Sequence, residues 1–131
     1  LRAGYFGLTR NLILSSDQRI VMHGSDVEYM FGHEAVSIPA RHLINDVSAS
    51  YVDGPDTLSL YQIVLPNHEA IIASGCPVES LYIGRIRRRA EKLEASVLSQ
   101  IDRSLLPEHA RPVWPVLKPF EAITLASARA A

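Results

Sequence analysis

The chain has 131 residues, 47% of them hydrophobic and 21% charged, with a formal net charge of -1. That balance describes one globular domain with its own core rather than a disordered chain, and it gives no global attraction to nucleic acid or an anionic membrane. Cys76 is the single cysteine, which excludes an internal disulfide and a zinc knuckle, and no apolar run reaches the roughly 20 residues of a membrane span.

Leu1 opens the chain with nothing like a signal peptide near it, so the chain reads as a piece of something longer. The first eighty residues read as strands. Asn11–Leu14 and Arg19–Met22 are short and rich in Ile, Val and Leu, with a polar turn Ser15-Ser16-Asp17-Gln18 between them. The segment "VEYMFGHEAVSIPA" predicts a hairpin: Val27–Phe31, a turn at Gly32-His33-Glu34, then Ala35–Ile38, ended by Pro39. "RHLIND" predicts a short helical turn, "VSASYVD" a weakly alternating strand, and Gly54-Pro55-Asp56 a turn. In "TLSLYQIVLP" both faces are apolar, which predicts a strand buried on both sides. "HEAIIASG" predicts another strand ending at Gly75. Strands spaced this way describe a mostly β body.

The apolar period then changes. Ile86, Ala90, Leu93, Val97, Ile101 and Leu105 form one stripe of an amphipathic helix over 85–106, stopped by Pro107. "HARPVWPVL" reads as extended, and "KPFEAITLASARAA" restarts a helix with Pro119 suited to its first position. The division is a β domain over 1–83 and a helical C-terminal extension over 84–131 packing on it.

Several residues invite chemistry. The run "RIRRRAEK" offers Arg85, Arg87, Arg88 and Arg89 to phosphates, but no aromatics interleave, and Glu91, Glu94 and Asp102 balance it as a solvated helix face. Of the five histidines, His23, His33, His42, His68 and His109, none is paired at the spacing that puts two metal ligands on one helix face. No metal is expected. His33 belongs in an exposed turn, and His23 and His42 read as hydrogen-bonded residues flanking apolar segments. Cys76 has acidic Glu79 nearby and no basic neighbour, so it reads as a small packed thiol rather than a nucleophile. His68, between a turn and an apolar strand, fits equally a loop cap and a group fixed by backbone that reaches a cleft.

The segments "LRAGYFG", "NLILSSDQRIVM", "EAVSIPARHLIND" and "LYQIVLPNHEAIIASGCPVESLY", in that order, resemble the hedgehog/intein (Hint) autoprocessing family in its alphaproteobacterial-type branch. The tail "ARPVWPVLKPFEAITLA" is similar to that branch as well. The resemblance implies a Hint-type β-fold with C-terminal helices, no cofactor, and self-cleavage of a peptide bond through an N-to-S/O acyl shift. A cysteine or serine that opens such a domain attacks the preceding carbonyl. A hydroxyl-x-x-histidine corner then polarises the scissile amide and protonates its nitrogen. On this pattern Ser15 matches the hydroxyl position, Gln18 falls where the family has histidine, and His68 matches the histidine of the late strand motif.

Two departures follow. Glutamine cannot shuttle a proton near neutral pH, and no nucleophile opens this chain, since Cys76 does not match that position. The resemblance therefore implies a partial or degenerate domain with weak or lost activity. Its nucleophile and first strands belong to an upstream segment of the same parent protein, the one partner implied. The alternative is a non-catalytic β module for packing or protein–protein interaction, with the Arg85–Leu106 helix as its contact. No nucleic acid or membrane partner is expected, and nothing in the sequence bears on oligomeric state. The compartment stays open, although the family is often attached to secreted bacterial proteins.

Overall fold

A computed structural model describes residues 1–54, 57–84, 100, 101, 105–107, 109 and 112–130. The chain divides into two compact units: Leu1–Tyr61, Ala70–Glu79 and Trp114–Ala131 make the first, and Gln62–Glu69 with Ser80–Val113 the second.

The first unit is built on a four-stranded antiparallel sheet. In chain order its elements are β1 (Arg19–His23), α1 (Ser25–Phe31), β2 (Ala35–Pro39), a 3-10 turn (Ala40–Leu43), β3 (Ala70–Ala73), β4 (Cys76–Glu79) and α2 (Pro119–Ala130). The strand order is β2-β1-β4-β3. β1 and β2 pair over their whole length, from Arg19 opposite Pro39 to His23 opposite Ala35. β4 joins the other side of β1 with Val78 opposite Ile20. β3 and β4 form a tight hairpin, Ala73 opposite Cys76, whose two loop residues Ser74 and Gly75 both carry positive φ, 51° and 95°. Such loops match the twist of the flanking strands. Beyond β2, Ser37 bonds Pro115 and Leu117, so the chain before α2 covers that edge.

Period-two alternation sends Ile20, Met22, Val36, Ile38 and Val78 to one face, where they pack with Val27, Leu43, Ala122 and Leu125 in a buried core. Each such aliphatic side chain contributes on the order of 1.5–3 kcal/mol on burial. In α2, Ala122 and Leu125 are buried and Ala126 is partly buried against them, the spacing of one helical stripe. Pro119 does open that helix, and Glu121 reaches back to accept from the Lys118 N–H at 2.8 Å, half of a capping box. The opposite face of the sheet carries Val21, Ser37 and Glu79, all buried.

The expected mostly β body with a C-terminal helix is present, with four local corrections. Val27–Phe31 is not a strand but lies in α1. Val27 is buried and Met30 and Phe31 are half-buried at helical spacing, while Tyr29 is 92% exposed. Gly32 stops the helix at φ 70°, its N–H bonding Glu28 O. Asn11–Leu14 and the residues of "VSASYVD" form no strand. "TLSLYQIVLP" is neither a strand nor buried: Leu58 is 53% and Tyr61 91% exposed. Alternation predicts a strand only where a neighbour takes up the backbone groups, and the sheet is completed without this segment.

In the second unit, Ile83 and Leu106 form a small buried cluster joined by Val64 and Leu81. Leu81 N–H bonds Ile63 O, and Ser80 N–H bonds Glu69 O. The helix expected over 85–106, with its arginine run, falls almost entirely outside the described residues.

Candidate functional site

The polar corner is a tight turn held from two sides. Gln18 N–H donates to Ser15 O at 3.1 Å, closing the turn. The 3-10 turn then clamps it: Ala40 N–H donates to Gln18 O at 2.8 Å and Arg41 N–H to Ser16 O at 3.0 Å. Arg41 and Asp17 add a side-chain ion pair. Ser15 is half-buried at the start of this corner.

Gln18 is also tied across the sheet. Its Nε2 donates to the main-chain oxygen of Glu79 at 2.9 Å. Since Ile20 pairs with Val78, this side-chain bond carries the β1–β4 ladder beyond its last backbone pair. Glu79 itself is only 6% exposed. Its Oε2 lies 3.7 Å from Arg19 Nη1, the residue next to Gln18. A cavity of about 320 Å³ adjoins the corner in the same unit, lined by Leu12, Leu14, Ile44, Tyr51 and Leu58 with Ser16 and Arg41 among its polar members.

His68 belongs to the second unit and is buried. Its Nδ1 accepts the Val113 N–H at 3.1 Å. A backbone N–H can only donate, so this nitrogen carries no proton and the neutral ring bears its hydrogen on Nε2. The ring packs against Tyr82, 5.3 Å between centroids, and Tyr82 stacks on His109 at 5.9 Å and 13°. His109 is held at both nitrogens: Nδ1 accepts from Ile83 N–H at 3.2 Å, and Nε2 donates to Leu65 O at 2.9 Å. Two histidines and a tyrosine thus form one packed cluster. Of the residues expected at the site, Ser15 and Gln18 share the corner of the first unit and His68 lies in the second.

Cys76 is 1% exposed within the core, and burial pushes its thiol up to about 11. It stays protonated at neutral pH and is not an activated nucleophile. His33 is exposed, as is His23. His42 does not show the hydrogen-bonded setting expected of it. Its buried Nδ1 has no hydrogen-bond partner among the described residues. Burial, with Arg41 beside it, holds its pKa below the ordinary histidine range. Among the described residues no group of three or more His, Cys, Asp or Glu is placed to hold a metal ion, and no helix is long and apolar enough to cross a membrane.

Sequence reasoning passed over Glu79, Tyr82 and His109. For Glu79 a signal existed. Ser-Gly is a two-residue hairpin turn between apolar runs, and the alternation of Cys76 and Val78 inward sends Glu79 to the other face of the same sheet. For His109 nothing local marked a partner 26 and 44 positions away.

A family model described as the Hint domain matches residues 1–85, which include the corner, the whole sheet and His68 but not α2. Comparisons with curated proteins and with solved structures found no match.

Proposed function

The chain belongs to the Hint-domain family, and from that premise we propose that it is an autoprocessing-type domain of the alphaproteobacterial-type branch whose acyl-shift activity is weak or lost. In this reading a cysteine or serine upstream of Leu1 attacks the carbonyl before it. The carbon–sulfur or carbon–oxygen bond forms, the nucleophile gives up its proton, and the amide nitrogen takes one as the carbon–nitrogen bond breaks. The Ser15–Gln18 corner faces that amide.

The observation that carries the reading is the state of Gln18. Its side-chain nitrogen is engaged with the Glu79 carbonyl, and an amide has no proton to transfer near neutral pH. Loss of a positioned acid or base typically lowers a rate by about 10²–10⁴. His68 is the imidazole that remains at a position matching the family pattern, with its proton on Nε2 by virtue of the Val113 bond. Cys76, buried and protonated, is not the nucleophile in this scheme.

The test is a mass-spectrometric time course of thiol-induced cleavage, using the parent protein with cysteine at the junction. Gln18→His is expected to raise the cleavage rate by about tenfold or more, and Ser15→Ala to lower it by a smaller factor, since it removes one hydroxyl and no proton carrier. Equal rates for the parent and Gln18→His overturn the reading of Gln18 as a lost acid and favour a packing module.

A further inference from the structure

We propose that the groove beside the corner seats an added β-strand, supplied by the residues that precede Leu1 in the parent protein. The inference deepens the autoprocessing reading: it takes from that reading the upstream segment, and adds where the segment lies and in which register.

The ladder that holds such a strand has already begun. The Leu1 nitrogen donates to Leu12 O at 2.8 Å, and Leu12 N–H donates to Leu1 O at 2.9 Å. Two residues that exchange both bonds are a hydrogen-bonded antiparallel pair. The next residue turns the other way, with Arg2 N–H donating to Ser48 O at 2.9 Å. The chain at Leu1 is thus bonded alternately to two walls. The Leu1 nitrogen uses one hydrogen in its bond, so chain added before Leu1 keeps that bond as an amide.

Register follows from the alternation. Antiparallel pairing carries the chain before Leu1 toward Leu14. The residue just before Leu1 then stands opposite Ile13, with its backbone groups turned to the Ser48 wall. The second residue before Leu1 bonds Leu14. Its side chain shares a face with Leu1, which packs against the main core, so an apolar residue suits that position. The groove lies along this path. Leu12, Ile13 and Leu14 line the 320 Å³ cavity together with Ser50, Tyr51 and Val52. Leu14 and Ser50 make no backbone hydrogen bond among the described residues. Ile13, Tyr51 and Val52 are exposed.

Both walls, Asn11–Leu14 and "VSASYVD", have the sequence of strands and neither forms one. A strand laid between them supplies the partner that each lacks. Strand addition of this kind draws affinity from main-chain bonds and specificity from alternate side chains.

The test uses the parent protein, which carries its own residues before Leu1. With no substitution, its Leu14 amide is expected to exchange with deuterium about tenfold or more slowly than in the protein beginning at Leu1, because a ladder bond covers it. Register is read by cross-linking. Residues opposite each other in a non-hydrogen-bonded pair stand about 4.5 Å apart at Cα, within disulfide reach. Cysteine at the residue before Leu1, combined with Ile13→Cys, is expected to close a disulfide in glutathione buffer, detected by mass spectrometry of tryptic peptides. Combined with Leu14→Cys, on the opposite face, the yield is expected to fall about tenfold. Cys76, 1% exposed in the core, stays out of the exchange.

Unchanged Leu14 exchange overturns the proposal without any substitution. Equal yields from the Ile13 and Leu14 pairs overturn it too. A disulfide formed only between two chains gives the groove to a second copy, and also overturns it. Neither measurement involves cleavage. If the disulfide forms in register while Gln18→His fails to quicken cleavage, the strand stands and the reading of Gln18 as a lost acid falls. Faster cleavage by Gln18→His without the disulfide does the reverse.

Discussion

The side chain of Gln18 donates to the backbone oxygen of Glu79 at 2.9 Å across 61 positions of sequence. The residue at the corner's fourth position is thus part of the sheet that carries it. Gln18→Ala is expected to lower stability in urea denaturation by about 0.5–1.5 kcal/mol, the net worth of one hydrogen bond. Gln18→Glu should cost more, because at pH 7 a carboxylate facing a carbonyl oxygen has nothing to donate. At low pH, where the introduced carboxyl is protonated and can donate again, part of that difference should be recovered. If Gln18→Ala has unchanged stability, the bond does not hold the strands together.

Much of this frame was legible in the sequence, and the exceptions have physical causes. β1 and β2 are apolar, β-branched runs cut by Gly24, Gly32 and Pro39, and those punctuation residues fall where the elements end. α2 opens on Pro119 as its sequence indicates. α1 escapes a reading by local pattern because seven residues give barely two helical turns. Val27, Met30 and Phe31 show the helical spacing only once Tyr29 is known to face solvent. The segment around Leu58–Leu65 has the composition of a buried strand, yet burial depends on a partner that local pattern does not encode. At the site, the corner was legible by resemblance to a family. The Gln18 bond, the Arg19–Glu79 pair and the His109 ties are contacts between distant positions, which no local window reports.

The loop before β1 meets the β3–β4 hairpin at two glycines. A Cβ on Gly75, whose φ is 95°, would stand 2.3 Å from the backbone oxygen of Gly7. Neither backbone can yield, because Thr9 N–H also bonds Ser74 O at 2.9 Å across the same approach. Gly75→Ala should therefore combine a clash with left-handed strain and cost more than the roughly 1–2 kcal/mol of the strain alone. Gly32→Ala is the control. Its φ is 70° with nothing within 4 Å of the added carbon, so it should show the strain without the clash. Thermal melts of the two variants compare them directly. A Gly75→Ala melt no lower than that of Gly32→Ala contradicts the close approach.

Arg129, in the last turn of α2, pairs with Asp26 through two bonds of 2.7 and 2.8 Å and also donates to His23 O. The hydrogen bond from Arg129 holds the Asp26 carboxyl below the ordinary carboxylate range. A depressed folded-state pKa means that the contribution to stability is present above the unfolded value of about 3.9. It is lost as pH falls through the lower folded value. The pair is half exposed, so salt should weaken it. In Arg129→Gln the Asp26 titration followed by NMR should move up, and the acid limb of the stability curve should flatten. An Asp26 midpoint that stays put would show that α2 is not anchored here.

The cluster in the second unit gives a prediction about protons. Val113 N–H donates to His68 Nδ1, and Ile83 N–H donates to His109 Nδ1. Both nitrogens must be bare, so both neutral rings should be Nε2–H tautomers, although the unperturbed ring has no such constraint imposed on it. Long-range proton–nitrogen NMR correlations distinguish the two tautomers by the nitrogen shifts. The same geometry says which ring is structural. His109 spends its remaining proton on Leu65 O at 2.9 Å, so His109→Ala strands an N–H and a carbonyl at once. Its cost in urea denaturation should be about 2 kcal/mol or more, counting roughly 1–3 kcal/mol for each buried group left unpaired. His109→Gln can offer an acceptor and a donor from one amide and should recover part of that loss. An Nδ1–H signal for either histidine in the folded protein would contradict the backbone bonds that fix these rings.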